Sequence, residues 1–169
     1  MTSGIFPSTR WDIGMVCEFM RESDIDEVTQ LAVQKGKNIA SWSFKEDMFK
    51  AFEGNGEFWT IWIDDSIVGI GGLVPTHVDK GLIWFLGTDL ADSQWRTMTR
   101  QCKKMKTIWE ANGWSTYNIA PLNQERRLLW LQYLGFDIEM QKANDPFKGY
   151  VLFQSQSPYP APQRLTAAP

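Results

Sequence analysis

The chain has little with which to hold a metal or cross-link itself. Its 169 residues include two cysteines, Cys17 and Cys102, and one histidine, His77. Two cysteines so far apart make neither a disulfide framework nor a CxxC motif. A zinc centre needs about four Cys, His, Asp or Glu ligands at close spacing, so none is expected. His77 follows a strand-like run and precedes Val78-Asp79-Lys80, which reads as a solvated turn histidine rather than a catalytic base. No run of about 18 apolar residues is present, so no membrane-spanning helix is expected. Met1-Thr2-Ser3-Gly4-Ile5-Phe6-Pro7 lacks the basic start and apolar stretch of a signal peptide, and the expected place of synthesis and folding is the cytoplasm. Positive charge is not in excess either. The balance of 17 Lys+Arg against 20 Asp+Glu gives a net charge of −3. A dedicated nucleic-acid binder is therefore disfavoured, although a local basic patch stays open.

What the chain does have is aromatic side chains. There are nine Trp and ten Phe, and aromatics make up 14% of the residues. Two readings apply: an aromatic-rich core, and a contact surface, where Trp and Tyr are favoured. The 43% hydrophobic and 22% charged content is that of a globular chain, and the length suits one domain.

Residues 1–13 show Gly, Pro and Ser without periodicity and read as an arm. Met15 to Met20 is a short apolar run and reads as a first strand. Ser23, followed by Asp26 and by Ile25, Val28, Leu31 and Ala32, starts a capped helix that Gly36 can end. Ser43 caps a second helix with Glu46 at the capping-box position and Phe44, Met48 and Phe52 on one face. Glu57–Ile63 is a strand, Asp64-Asp65-Ser66 a tight turn, and 67–74 the return strand of a hairpin. Gly69, Gly71 and Gly72 in that strand mark the close approach of another backbone or of a ligand. Gly81–Gly87 is a further strand.

Ser93 to Asn112 is the most regular helix. Trp95, Met98, Cys102, Met105, Ile108 and Trp109 share its apolar face. Asp92 or Ser93 can cap it, and Gly113 ends it. Arg96, Arg100, Lys103, Lys104 and Lys106 form its other face, readable as a solvated face or as an anion or partner contact. Ser115–Ala120 is a strand, and Asn123–Tyr133 a helix capped by Asn123 and ended by Gly135. The strands 136–140 and 149–154 close the order. Residues 155–169, with Pro158, Pro160, Pro162 and Pro169, read as an extended tail. The whole is an α+β (α/β-like) domain with helices on a mixed, twisted sheet.

This order resembles the GNAT acyltransferase fold over residues 14–154. The most specific stretch is Asn123 through Phe136, ending Leu134-Gly135-Phe136. The opening Arg21-Glu22-Ser23-Asp24 to Val28 also looks like the family's strand–helix entry. The resemblance implies about six to seven strands and about four helices. Trp84-Phe85-Leu86-Gly87-Thr88-Asp89, the basic Trp95–Trp109 helix and Asn123–Gly135 also resemble the small GNAT-like internal virion proteins of short-tailed bacteriophages. That resemblance implies a host-cytoplasmic protein that ends in the virion. Its implied partners are other virion proteins, met through the terminal arms. No membrane is implied, and self-association stays open.

In the GNAT family a Gln/Arg-x-x-Gly-x-Gly/Ala loop after the fourth strand points backbone N–H groups and a helix N-terminus at the pyrophosphate of acetyl-CoA. Here the corresponding stretch, Asp89 to Met98, has Gln94 but no glycine, and Asp89 and Asp92 oppose a diphosphate unless Arg96 and Arg100 offset them. The family's general-acid Tyr, four residues before the closing glycine, corresponds to Leu131, which cannot transfer a proton. Glu57, Asp64 and Asp65 are the carboxylates near the central strands, and none is marked as a base. The expectation is therefore a non-catalytic domain with no catalytic residues and no cofactor, reused in virion assembly or structure. The alternative is an active N-acyltransferase of a protein or small amine. The resemblance would then place acetyl-CoA at Leu86, Thr88, Arg96 and Asn123.

Overall fold

A computed structural model describes residues 2–140 and 149–159 of the chain. Among these, seven strands form one mixed sheet in the order β1-β2-β3-β4-β5-β7-β6, and five helices accompany it. The elements are β1 (Gly4–Pro7), α1 (Arg10–Glu18), α2 (Glu22–Gln34), α3 (Phe44–Phe52), β2 (Glu57–Ile63), β3 (Ser66–Pro75) and β4 (Lys80–Gly87). They continue with α4 (Trp95–Ala111), β5 (Ser115–Pro121), α5 (Glu125–Tyr133), β6 (Asp137–Met140) and β7 (Tyr150–Ser155). This is the expected mixed sheet, with one helix more than expected. No helix of the described residues is long and apolar enough to cross a membrane.

The chain divides into two compact units, Met1–Leu73 with Trp84–Gln101, and Val74–Ile83 with Cys102–Pro169. In the first unit the amino-terminal residues differ from the sequence reading. Gly4–Pro7, expected to lie in an arm, pairs antiparallel with β2, Phe6 opposite Thr60. Arg10–Glu18 is a helix where a strand over Met15–Met20 was expected. Its origin is a Thr9–Asp12 capping box: Asp12 N donates to Thr9 Oγ1 at 3.2 Å and Thr9 N to Asp12 Oδ2 at 2.8 Å. Ile13 and Val16 are then buried at helical spacing, and a six-residue apolar run cannot by itself tell strand from helix. Met20 keeps a single antiparallel bridge, to Thr88.

The hairpin agrees with expectation. Asp64 and Asp65 both take positive φ, 48° and 61°, as the two-residue turn between Ile63 and Ser66 requires. Ser43 caps α3 as read, accepting from Glu46 N at 3.3 Å. Met48 joins Ile13, Val16, Met20, Phe58, Ile70 and Leu86 in one buried cluster, with Phe44 and Phe52 packed against it. The glycines of β3 admit neighbouring side chains and backbone. A Cβ on Gly69 would lie 2.6 Å from the Phe85 ring, and one on Gly72 would lie 2.2 Å from Glu57 O. These spaces belong to the packing of β2, β3 and β4.

In the second unit β5, β7 and β6 form an antiparallel set, with Asn118 and Ile138 both opposite Phe153. Met105, Trp109, Leu131, Leu134, Phe136, Tyr150, Val151 and Phe153 are buried. Phe136 meets Phe153 edge to face at 5.1 Å. Glu110 ties α4 to β7, accepting from Lys106 Nζ at 2.5 Å and from the Ser155 hydroxyl. Ser155, expected to open the tail, is the last residue of β7, and the Ser157 hydroxyl donates to Glu110 O at 2.6 Å. The rest of the expected tail, 160–169, lies outside the described residues.

Candidate functional site

The stretch where the resemblance puts the phosphate loop is the β4–α4 connection in the first unit. Arg21 N donates to Gly87 O at 3.0 Å and Asp89 N to Phe19 O at 3.3 Å, so residues 19–21 run along 87–89. This brings the first turn of α2 to the end of β4. Asp24 Oδ2 accepts from Gly87 N at 2.7 Å and from Arg21 Nε at 2.8 Å. Arg21 Nη1 donates to Asp92 Oδ1 at 2.8 Å. Asp24 is buried and Arg21 nearly so, whereas Asp92 is exposed. Burial works against the Arg21 charge, but Asp24 and then Asp92 more than offset it and raise its pKa.

Gly87 is needed here for space. A Cβ on it would lie 2.7 Å from Ala91 Cβ, and 3.1 and 3.2 Å from Arg21 Nε and Cζ. The guanidinium and Ala91 therefore take the room beside β4 that a glycine leaves free. Five backbone donors of this stretch are also engaged. Gly87 N goes to Asp24, Thr88 N to Val68 O at 2.9 Å, and Asp89 N to Phe19 O. Ala91 N goes to Thr88 O at 2.9 Å and Gln94 N to Leu90 O at 3.0 Å. An anion cradle needs such groups turned toward the ligand.

The expected cap residues of α4 have other partners. Asp92 is held by Arg21, and Ser93 Oγ donates to Leu90 O at 2.9 Å, so the helix begins at Trp95 rather than Ser93. α2 likewise starts one residue before Ser23, and its N-cap is Arg21, without a side-chain cap bond. Leu86 is buried in the first unit's core, and Thr88 is buried with its hydroxyl directed at Ile67 O and Val68 O, 2.9 and 3.1 Å away. Arg96 is exposed and lies over its neighbour Trp95, 5.5 Å from the ring centroid. Trp95, expected on the apolar face of α4, is also exposed, as is Ile108.

In the second unit Asn123 is exposed in the β5–α5 connection. It does not cap α5; Gln124 is the N-cap residue, and it makes no side-chain cap bond. Leu131 is buried, and Tyr133 is exposed. The parallel ladder of β4 and β5 covers Lys80–Leu82 with Ser115–Tyr117. At Ile83 the carbonyl is taken instead by the side-chain amide of Asn118, at 2.6 Å. The expected basic face of α4 divides. Lys106 is largely buried against Glu110, while Lys103 and Lys104 are exposed. Of the candidate carboxylates, Glu57 accepts from Trp59 Nε1 at 3.3 Å, Asp64 Oδ1 from Ser3 Oγ at 3.4 Å and Asp65 Oδ1 from Thr2 N at 2.7 Å, beside the hairpin turn. His77 is exposed. Cys17 and Cys102 are half-buried and not joined in a disulfide, and no group of metal-ligating side chains occurs among the described residues.

Sequence reasoning missed Arg21, Asp24 and Asn118. Arg21 and Asp24 stand at helix-pair spacing around the start of α2, which marks an ion pair but not what it reaches across the fold.

Solved structures share this architecture. One is smu.2055 from Streptococcus mutans UA159, with a TM-score of 0.65 at 17% identity over 92% of this chain and 99% of that one. Another is the PaiA N-acetyltransferase of Thermoplasma acidophilum in complex with coenzyme A, at 0.64 and 12% over 92% and 99%. A third is a GNAT superfamily phosphinothricin acetyltransferase from Sinorhizobium meliloti in complex with AcCoA, at 0.64 and 12% over 100% and 94%. The fold is that of the GNAT acetyltransferases. No family model matches the chain, and no curated protein matches it in sequence.

Proposed function

We propose that this chain is a non-catalytic GNAT-fold protein that acts by binding, as a bacteriophage component in virion assembly or structure. The observation that carries the non-catalytic reading is the Arg21–Asp24–Gly87–Asp92 network. The residues present do not fit a diphosphate. Asp24 already supplies the anion that the Gly87 amide and the Arg21 guanidinium bind, at 2.7 and 2.8 Å. Asp92 supplies the second negative group at 2.8 Å. A phosphate arriving there would meet two carboxylates and engaged amides. Leu131, buried and without a transferable proton, supports the same reading. The site of action, host cytoplasm and then virion, rests on the sequence resemblance over Trp84–Asp89, Trp95–Trp109 and Asn123–Gly135. Exposed Trp11, Trp95 and Tyr133 give the surface contact area that a binding role uses. The docking arm expected at the amino terminus is not part of this proposal, because Gly4–Pro7 is paired in the sheet.

The test is quantitative mass spectrometry of purified particles of the phage that encodes the chain. A fixed copy number per particle, retained through washing, is the expected result. Absence from particles, together with acetylation of an amine by the purified chain, overturns the reading.

One observation favours the alternative, an acetyl-CoA-dependent N-acyltransferase. Asp92 is 78% exposed, so it can swing from Arg21 and leave a guanidinium Nη1 for a phosphate oxygen. That reading requires Asp92→Ala to strengthen coenzyme A binding.

A further inference from the structure

Two helix faces in this chain are solvent-exposed, partly apolar and opposite in charge. On α2 the inward side carries buried Asp24 and Ala32. The outward stripe is Glu22, Ile25, Asp26 and Val33, with Ile25 45% and Val33 56% exposed. Glu22, Asp26 and Val33 share one side at helical spacing, and Ile25 lies at its edge, on the row of Ala32. On α5 the inward side carries Leu131, and the outward stripe is Arg126, Leu129 and Tyr133. Leu129 is 59% and Tyr133 66% exposed. Lys103 Nζ of α4 lies 5.2 Å from the Tyr133 ring centroid, which puts α4 and α5 side chains on one surface, with Lys104 exposed beside Lys103. An exposed aromatic under a cation and an exposed leucine on the same stripe form a surface suited to an acidic, partly apolar helix.

We propose that the occupant is a second copy of this chain. The outward face of α2 on one copy meets the Lys103–Arg126–Leu129–Tyr133 face of α4 and α5 on the next. The two faces are complementary in both charge and apolar content. Glu22 and Asp26 face Lys103, Lys104 and Arg126, and Ile25 and Val33 cover Leu129 and Tyr133. Each face carries mainly one sign, so neither pairs well with its own copy, and the contact is head to tail. Such a contact closes into a ring or continues as a chain of subunits. Neither face includes Arg21, Asp24 or Asp92, so the proposal goes beyond the cofactor question and stands or falls separately from it.

Sedimentation velocity of the full chain tests this, from micromolar to a few hundred micromolar, in low salt and in about 0.5 M salt, where charge attraction is screened within a few ångströms. The expected result is a mass that rises with concentration in low salt and falls toward the monomer in high salt. Glu22→Lys with Asp26→Lys, and separately Lys103→Glu with Arg126→Glu, should each reduce association at least tenfold. Mixing the two variants should restore it, because each then presents the sign the other needs. All four substitutions are at exposed positions, and an unchanged melting temperature verifies folding. A monomer at every concentration in low salt overturns the proposal. So does association that both variants retain, or a mixture that stays monomeric.

Discussion

The buried carboxylate of Asp24 accepts the backbone N–H of Gly87 at 2.7 Å. It thereby joins the first turn of α2 to the end of β4. Arg21 completes the pair and extends it to Asp92. An intramolecular anion therefore sits at the turn between β4 and α4, where the sequence resemblance puts the phosphate loop. The same contacts that fix the turn engage the Gly87 amide and the Arg21 guanidinium.

Removing one member of this pair should destabilise the chain strongly. Arg21→Ala leaves Asp24 buried without its cation, and breaking a buried pair costs about 3 kcal/mol or more. For a domain of this size that lowers the melting temperature by roughly 6–12 °C. Asp92→Ala, at the exposed end, should cost no more than about 1 kcal/mol. Thermal unfolding of the two variants side by side reads the difference, and equal shifts would contradict the assignment of Asp24 as the buried anchor.

Gly87→Ala tests the close approach directly. Its new methyl would have to share space with Ala91 Cβ at 2.7 Å and the Arg21 guanidinium at 3.1 Å. Overpacking of this kind costs about 1–3 kcal/mol. Gly36→Ala is the comparison. Gly36 has φ +74° and nothing within 4 Å, so its cost is backbone strain alone, about 1 kcal/mol. Chemical denaturation curves of both variants check the order.

Much of this fold was legible in the sequence, and the reason differs by element. β2 and the hairpin turn were clear because Phe58-Trp59-Thr60-Ile61-Trp62 has strand composition and Asp64-Asp65 tolerates positive φ. α3 was clear because Ser43 caps a periodic run. α1 was not, because its signal is the short capping box Thr9–Asp12, set in a stretch that Gly4 and Pro7 mark as irregular. The absence of glycine from residues 89–98 was also visible. That Arg21 and Asp24 fill its place was not, because the pairing depends on residues 63 positions apart meeting in the fold.

The pH dependence of stability should contain a contribution from Asp47. Hydrogen bonds from Lys37 and then from Trp42 Nε1, the latter at 2.8 Å, lower its pKa below the ordinary carboxylate value. The folded pKa is depressed, so this stabilisation is present above the unfolded pKa of about 3.9 and is lost as pH falls through the folded value. Asp47→Asn should therefore be less stable than the unsubstituted chain at neutral pH, with the gap closing below about pH 4. A gap that stays constant through acid, read by thermal melts at several pH values, would contradict this.

Cys17 should be a slow thiol. Burial raises its pKa to about 11, and the charge of Lys45 opposes this only in part. A pKa near 11 leaves far less thiolate near pH 8 than an ordinary thiol has, by about 100-fold. In a Cys102→Ser background, iodoacetamide labelling of the folded chain should lag that of the denatured chain by about that factor. Equal rates would place Cys17 in an open environment.

Thermal unfolding with and without millimolar acetyl-CoA tests the central claim most directly. A ligand at a hundred times its dissociation constant stabilises a fold by about 2.7 kcal/mol, which is several degrees for a domain of this size. The account predicts no shift, because Asp24, Arg21 and Asp92 already satisfy the turn that would take the diphosphate. A shift of several degrees, abolished by Arg21→Lys in a chain that still folds, would contradict it and return Arg21 to the role of a phosphate ligand.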